Sequence, residues 1–397
     1  MYSLRSAWRS PYFLLLAPAF IIILYHVGRG LGHTVFVLYW LIACGSILKR
    51  REFGFPARET TLFLILLAWG SLAGALSIDP SHALAKWWAQ FALWGTTFFI
   101  SWQLIRRIPD FNLEHAIRVI GVAGLLAFAY YGVNFLYHAS RPDFHPETQV
   151  HGLGPAYLAP FALYTLRQKM PGLRGTLVAG TYAITLLLFL VFSNSRTEVI
   201  AFAAALTVML TLSIRDKRQL LILLAILLLG LIMLVLRFNK TGSILAHSSS
   251  GNWLDLMDKL SSYRTYIWRK AVAIPPPNVW LGVGPGLVGR YPPVVIEGKG
   301  TVGHLHNLFL DAWYEMGFVG VALYISYYVA LTRRACACAN KLTSPELAVL
   351  WASLAAIAAA CMLEQSYRSY HVSMFVPFLL ALYAYCNMSG TRQRAMP

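Results

Sequence analysis

The chain has 397 residues, of which 58% are hydrophobic and only 12% charged. A soluble domain carries about twice that charged fraction, so lipid is the solvent in which most of this chain folds. The formal net charge of +17 would point to nucleic acid only if it gathered on one surface, and its spread along the chain argues against that.

From the N-terminus, Arg5 and Arg9 precede an apolar run at 10–28 that reads as a signal anchor rather than a cleaved leader. Further runs follow at 31–48, 60–78, 85–105, 117–137, 152–166, 175–193, 197–214, 219–236, 308–332, 346–364 and 370–387. Each approaches the roughly 20 residues that cross a bilayer as a helix. A spanning helix satisfies its own backbone hydrogen bonds, which lipid cannot do, and no strand-length alternation competes. The expected fold is all-α and integral to the membrane, with about twelve transmembrane helices. The connections between runs alternate in charge: one set, including Lys49–Arg51, Arg106 and Arg107, Arg215–Arg218, and Arg333 and Arg334, holds 20 of the 33 basic residues against six acids. By the positive-inside rule that set is cytoplasmic, and both termini with it. The basic balance is then topological, and no nucleic-acid partner is expected. Cys336 and Cys338 form a C-x-C pair with no second pair, so the five cysteines are expected to be inert thiols and no metal site is assigned.

The opposite connections are richer. Residues 138–151 (HASRPDFHPETQVH) carry three histidines, and 237–305 alone has room for a subdomain. The chain divides accordingly into helices one to nine (1–236), a large periplasmic loop subdomain between the ninth and tenth helices (237–305), and three last helices with a cytoplasmic tail (306–397). Within the loop, Trp253, Leu256, Leu260, Tyr263, Ile267 and Ala271 recur at the period of an amphipathic helix. Pro275–Pro277 end it, and GVGPG at 282–286 requires an irregular, tightly turned backbone. This helix is expected along the membrane interface, with Trp253, Trp268 and Trp280 at headgroup level.

Ten of the eleven histidines fall on or near that outer side. Tolerance of interfaces by imidazole accounts for most of them, but less well for His304 and His306, which stand where TVGHLHNLFLDAWYEMGFVG (301–320) passes from loop into an apolar helix. An imidazole at such a mouth can take a proton from a sugar hydroxyl near neutral pH. Three arginines lie on the same side, where the positive-inside rule makes arginine scarce. Arg196 sits in the short turn FSNSRTE, Arg264 beside the apolar stripe of the loop helix, and Arg290 after the GVGPG turn. Pairing with Glu198, snorkelling to headgroups and plain solvation are the competing readings of these three. Together they offer forked donors suited to the oxygens of a lipid-borne pyrophosphate. There is no P-loop, dinucleotide fingerprint or H-E-x-x-H, so a reaction here would use a substrate that arrives already activated, and no cofactor is expected.

The residues His306, Asn307 and Leu310 (H-N-x-x-L), followed by an acid and Gly317, come after Arg264, Trp268 and the glycine stretch from Pro277 to Gly286, with Arg196 in S-x-S-R-T upstream. This order resembles the O-antigen ligase/polymerase superfamily of bacterial envelope glycosyltransferases, over roughly 190–320 by motif. The resemblance implies transfer, with inversion and without a metal, of a glycan from undecaprenyl pyrophosphate at the periplasmic face of the inner membrane. The acceptor would be a lipid A-core sugar in a ligase, or a second lipid-linked repeat unit in a polymerase. It also implies that Arg196 and Arg264, and less securely Arg290, bind pyrophosphate, that His306 is the base or positions the acceptor, and that His304 and Asn307 are secondary. Asp311 and Glu315 read as structural partners at the helix start. Ligase is the preferred reading. A reading from a different class, a twelve-helix transporter or flippase, would place ionisable residues near the midplane, and here the spans hold few.

Overall fold

Most of the apolar runs read from the sequence fold as helices. The computed structural model describes residues 11–49, 54–108, 111–139, 153–170, 172–192, 196–213, 254, 258, 261, 263–290, 295–296, 300–337, 344–363 and 367–392. The run at 219–236, His145, His151, His247 and Trp253 lie outside them. In chain order the helices are α1 (Pro11–Val27), α2 (Arg29–Lys49), α3 (Ala57–Ala75), α4 (Pro80–Lys86), α5 (Leu93–Gly95), α6 (Thr97–Ile105), α7 (Leu113–Ala139), α8 (Leu153–Lys169), α9 (Leu173–Phe192), α10 (Arg196–Ser213), α11 (Arg264–Ala273), α12 (Leu308–Cys336), α13 (Ser344–Leu363) and α14 (Val376–Arg392). Single π-helical stretches, Trp87–Ala92 and His371–Phe375, interrupt the fourth and last spans. The described residues add one small exception to the all-α expectation, a ladder of β1 (Val295–Ile296) antiparallel to β2 (Gly300–Thr301).

Among the described residues, five helical stretches are long and apolar enough to cross a membrane: Gly30–Lys49, Leu113–Tyr137, Leu173–Val191, Leu308–Cys336 and Pro345–Leu363. Their outward faces carry large apolar side chains, such as Leu38, Leu41 and Ile42 on α2 and Ile184 and Leu188 on α9. Such faces suit contact with lipid. Inside, α10 packs along α13, α7 along α8, and α12 along α3 and α14. Close approach is set locally by glycine: a methyl on Gly70 of α3 would come 2.2 Å from the Trp87 indole, whose Nε1 donates to the Leu67 carbonyl at 3.2 Å.

The two ends of the bundle differ. At one, Arg334 grips Glu59 through two bonds of 2.7 and 2.9 Å and lies 5.4 Å from the Trp102 ring. There, too, Arg106 donates to the carbonyl of Gly54 and Arg107 to those of Ser46 and Ile47. At the other end α12 is broken. Gly317 sits at φ 67, ψ −176, a conformation essentially confined to glycine. The break opens the helical ladder, and the GVGPG turn fills it: Val283 N–H donates to Tyr314 O and Gly284 N–H to Glu315 O, each at 2.9 Å, and Phe318 N–H donates to Val279 O. Gly282, Gly284 and Gly286 all have positive φ, as the glycine spacing required.

Candidate active site at the mouth of α12

The turn that carries His306 is held at almost every polar atom. Asn307 starts α12 as its N-cap, its Oδ1 accepting from Phe309 N–H and Leu310 N–H at 3.0 and 3.1 Å, which satisfies two orphan donors of the first turn. Its Nδ2 reaches the Met362 carbonyl at 3.2 Å, tying the mouth of α12 to the end of α13. One residue earlier, His306 adopts a left-handed φ of 53. Its N–H donates to His304 Nδ1 at 3.3 Å, and the two imidazoles lie 3.9 Å apart between centroids. Before it, the Leu305 side chain is fully buried. Leu305 N–H donates to Asp311 Oδ1 at 2.7 Å, and Leu305 C=O accepts from Trp268 Nε1 at 3.0 Å.

Trp268 belongs to α11, and that helix joins the two halves of the site. One turn before Trp268, Arg264 donates from Nη2 to Thr197 Oγ1 at 3.1 Å. Residues four apart share a helix face, so α11 spans from the start of α10, which Arg196 opens, to the peptide beside His306. The described structure gives the backbone of Arg196 and not its side chain. Asp258 anchors the entry to α11: it pairs with Arg269, accepts from Thr265 Oγ1 at 2.5 Å, and its carbonyl takes Tyr263 N–H at 2.6 Å.

In one respect α11 differs from the sequence expectation. The apolar stripe was read as one helix running through Tyr263, but Tyr263 is left-handed (φ 65) and α11 begins only at Arg264; Asp258 closing on the following turn accounts for the break. Ile267 and Ala271 are buried as the stripe required. Trp268 turns its N–H to the Leu305 carbonyl, and Trp280 is exposed.

Arg290 occupies a neighbouring position with a partner already in place. It pairs with Asp79, and its Nη2 lies 3.4 Å from His82 Nδ1. Asp79 is the N-cap of α4, ahead of Pro80, accepting from His82 N–H at 3.1 Å. That backbone bond, then the Ser81 hydroxyl and the Arg290 charge, hold its carboxyl below the usual range. The turn bearing Arg290 backs onto the one leading to His304, since a methyl on Gly289 would lie 2.9 Å from Gly303 Cα.

A fourth arginine at this end was not singled out from the sequence. Arg368, between α13 and α14, binds Glu315 of α12 through Nε and Nη2 at 2.8 and 2.7 Å and Gln90 through Nη1 at 2.7 Å. Tyr367 O–H donates to the same carboxylate at 2.8 Å. Burial opposes the Arg368 charge, but the Glu315 carboxylate outweighs it and raises the guanidinium pKa. Burial and the same carboxylate keep the Tyr367 hydroxyl well above its ordinary range, as a donor. An arginine just before the last apolar run was the available signal; its partner, 53 residues away, was not.

No curated protein matches the chain. The family model described as O-antigen ligase matches residues 181–325, the stretch that contains Arg196, α11, the glycine turn and the His306 mouth. Its apolar helices mark the chain as a multi-pass membrane protein, and its residues 181–325 are similar to the O-antigen ligase family.

Proposed function

We propose that this protein is an O-antigen ligase of the bacterial inner membrane, spanning about twelve times with both termini cytoplasmic. It transfers a glycan from undecaprenyl pyrophosphate to a sugar hydroxyl of lipid A-core on the periplasmic face. The observation that carries the reading is the bridge made by α11, which binds Thr197 through Arg264 and the Leu305 peptide through Trp268. It links the two elements that bear the arginines and the histidine. In the reaction, the acceptor oxygen attacks the anomeric carbon, the bond from that carbon to the pyrophosphate oxygen breaks with inversion, and His306 takes the hydroxyl proton. Arg264 and Arg196 neutralise the charge that develops on the leaving pyrophosphate, with Arg290 able to join them on release from Asp79. A preorganised donor of this kind is worth about 3 kcal/mol of barrier, and a positioned base about 10²–10⁴ in rate.

Purified protein, given an undecaprenyl-pyrophosphate-linked glycan and, separately, lipid A-core or a second lipid-linked repeat, tests the assignment. Transfer to lipid A-core that His306→Ala slows by about 10²–10⁴-fold is the expected result. Transfer only to the second repeat unit would make the protein a polymerase. Full activity of His306→Ala would remove the base.

A further inference from the structure

The geometry points to Asp311 and Trp268 as positioning residues that set the imidazole of His306 through the peptide of Leu305. An acid in the first turn of a helix ordinarily complements the helix dipole or caps the free N–H groups. In α12 that work is done by Asn307, whose Oδ1 takes the N–H groups of Phe309 and Leu310. Asp311, fully buried, instead reaches back past the helix start to Leu305 N–H at 2.7 Å. Trp268 takes the carbonyl of the same residue at 3.0 Å, and the Leu305 side chain is buried on the second, smaller core that includes Ile267, Ala271 and Tyr314. N–H, C=O and side chain of residue 305 are all fixed, residue 307 is fixed as the cap, and the chain between them runs through His306 at φ 53. Histidine is among the non-glycine residues that enter the left-handed region most readily. The clamp therefore chooses the direction in which the imidazole leaves the backbone, and does so from α11, the helix that also holds Arg264.

This inference rests on His306 acting on the acceptor hydroxyl, and the test separates the two claims. Steady-state transfer is measured on purified Asp311→Ala, Asp311→Asn, Trp268→Phe, His306→Ala and the Asp311→Ala/His306→Ala double variant, each first checked for a monodisperse folded state. Misplacing a reacting group by about 1 Å can cost ~10²-fold, so Asp311→Ala should lower kcat by about that factor with KM for donor and acceptor nearly unchanged. Asp311→Asn keeps an acceptor oxygen and should restore most of the rate. Loss of one neutral hydrogen bond in Trp268→Phe should cost roughly fivefold to tenfold. On the His306→Ala background, Asp311→Ala should cost nothing more, because residues that act as a unit are not additive.

The positioning role is overturned if His306→Ala is slowed by orders of magnitude while Asp311→Ala or Trp268→Phe turns over like the parent. It is equally overturned if the double variant loses a further large factor, or if Asp311→Asn is as poor as Asp311→Ala. Should Asp311→Ala not fold, Asp311→Asn and Trp268→Phe decide alone: a kcat for Trp268→Phe equal to the parent's overturns the role. Full activity of His306→Ala would instead sink the base assignment, and the clamp with it.

Discussion

At the residue scale, Arg264 makes the strictest demand on side-chain chemistry. Its Nη2 donates to Thr197, and a guanidinium has five N–H donors in a rigid fork; on the proposed reading the same side chain both holds the start of α10 and binds phosphate. Lysine has the charge without the fork. Arg264→Ala is expected to lower kcat/KM for the lipid pyrophosphate by about a hundredfold, the typical loss of ~3 kcal/mol for one preorganised donor. Arg264→Lys should recover little of it. Titration of the lipid-linked donor at fixed acceptor measures both, and full recovery by lysine would mean that only charge matters there. Arg290 stands in contrast. Its exposed pair with Asp79 is the kind that salt screens. Because the Asp79 carboxyl is held below its usual range, the pair persists through mildly acidic conditions and is lost only as pH falls through that lowered value.

At the scale of elements, the broken helix α12 is the part that a substitution disturbs most. A methyl on Gly317 would stand 2.1 Å from the Trp280 carbonyl carbon, at a φ that side chains rarely adopt. Gly317→Ala should therefore fail to give folded protein or unfold well below the parent, since strain at such a position alone costs about 1–3 kcal/mol. Gly45→Ala on α2, where nothing lies within 4 Å, is the control expected to be neutral or slightly stabilising. Thermal unfolding in detergent, followed by size-exclusion chromatography, measures the difference. A Gly317→Ala protein as stable as the control would show that the break is not required. Much at this scale could be read from the chain: apolar length predicts the helices, the glycine spacing predicts the turn at 282–286, and Asn307 stands in its motif before the helix it caps. The left-handed Tyr263 could not be read, because the apolar stripe continues in register across it and only the closure by Asp258 interrupts the helix. Nor could the Arg368–Glu315 pair, which joins side chains from separate elements that lie together only once α12 and α14 have packed.

At the scale of the whole molecule, function depends on which side of the membrane the His306 mouth faces. The structure gathers Arg334, Arg106 and Arg107 at one end of the bundle and His304, His306, Arg264 and Arg368 at the other. On the proposed reading, the charge bias of the connections turns the first end toward the cytoplasm. In a background where the five cysteines are replaced, Ser81→Cys at the exposed start of α4 should react in intact cells with a maleimide that cannot cross the inner membrane but enters the periplasm. Arg174→Cys, at the exposed start of α9, should react only after that membrane is opened. The reverse pattern would turn the histidine mouth toward the cytoplasm, where a lipid-linked glycan already carried across the membrane could not reach it, and the ligase reading would fall whatever the chemistry of the site.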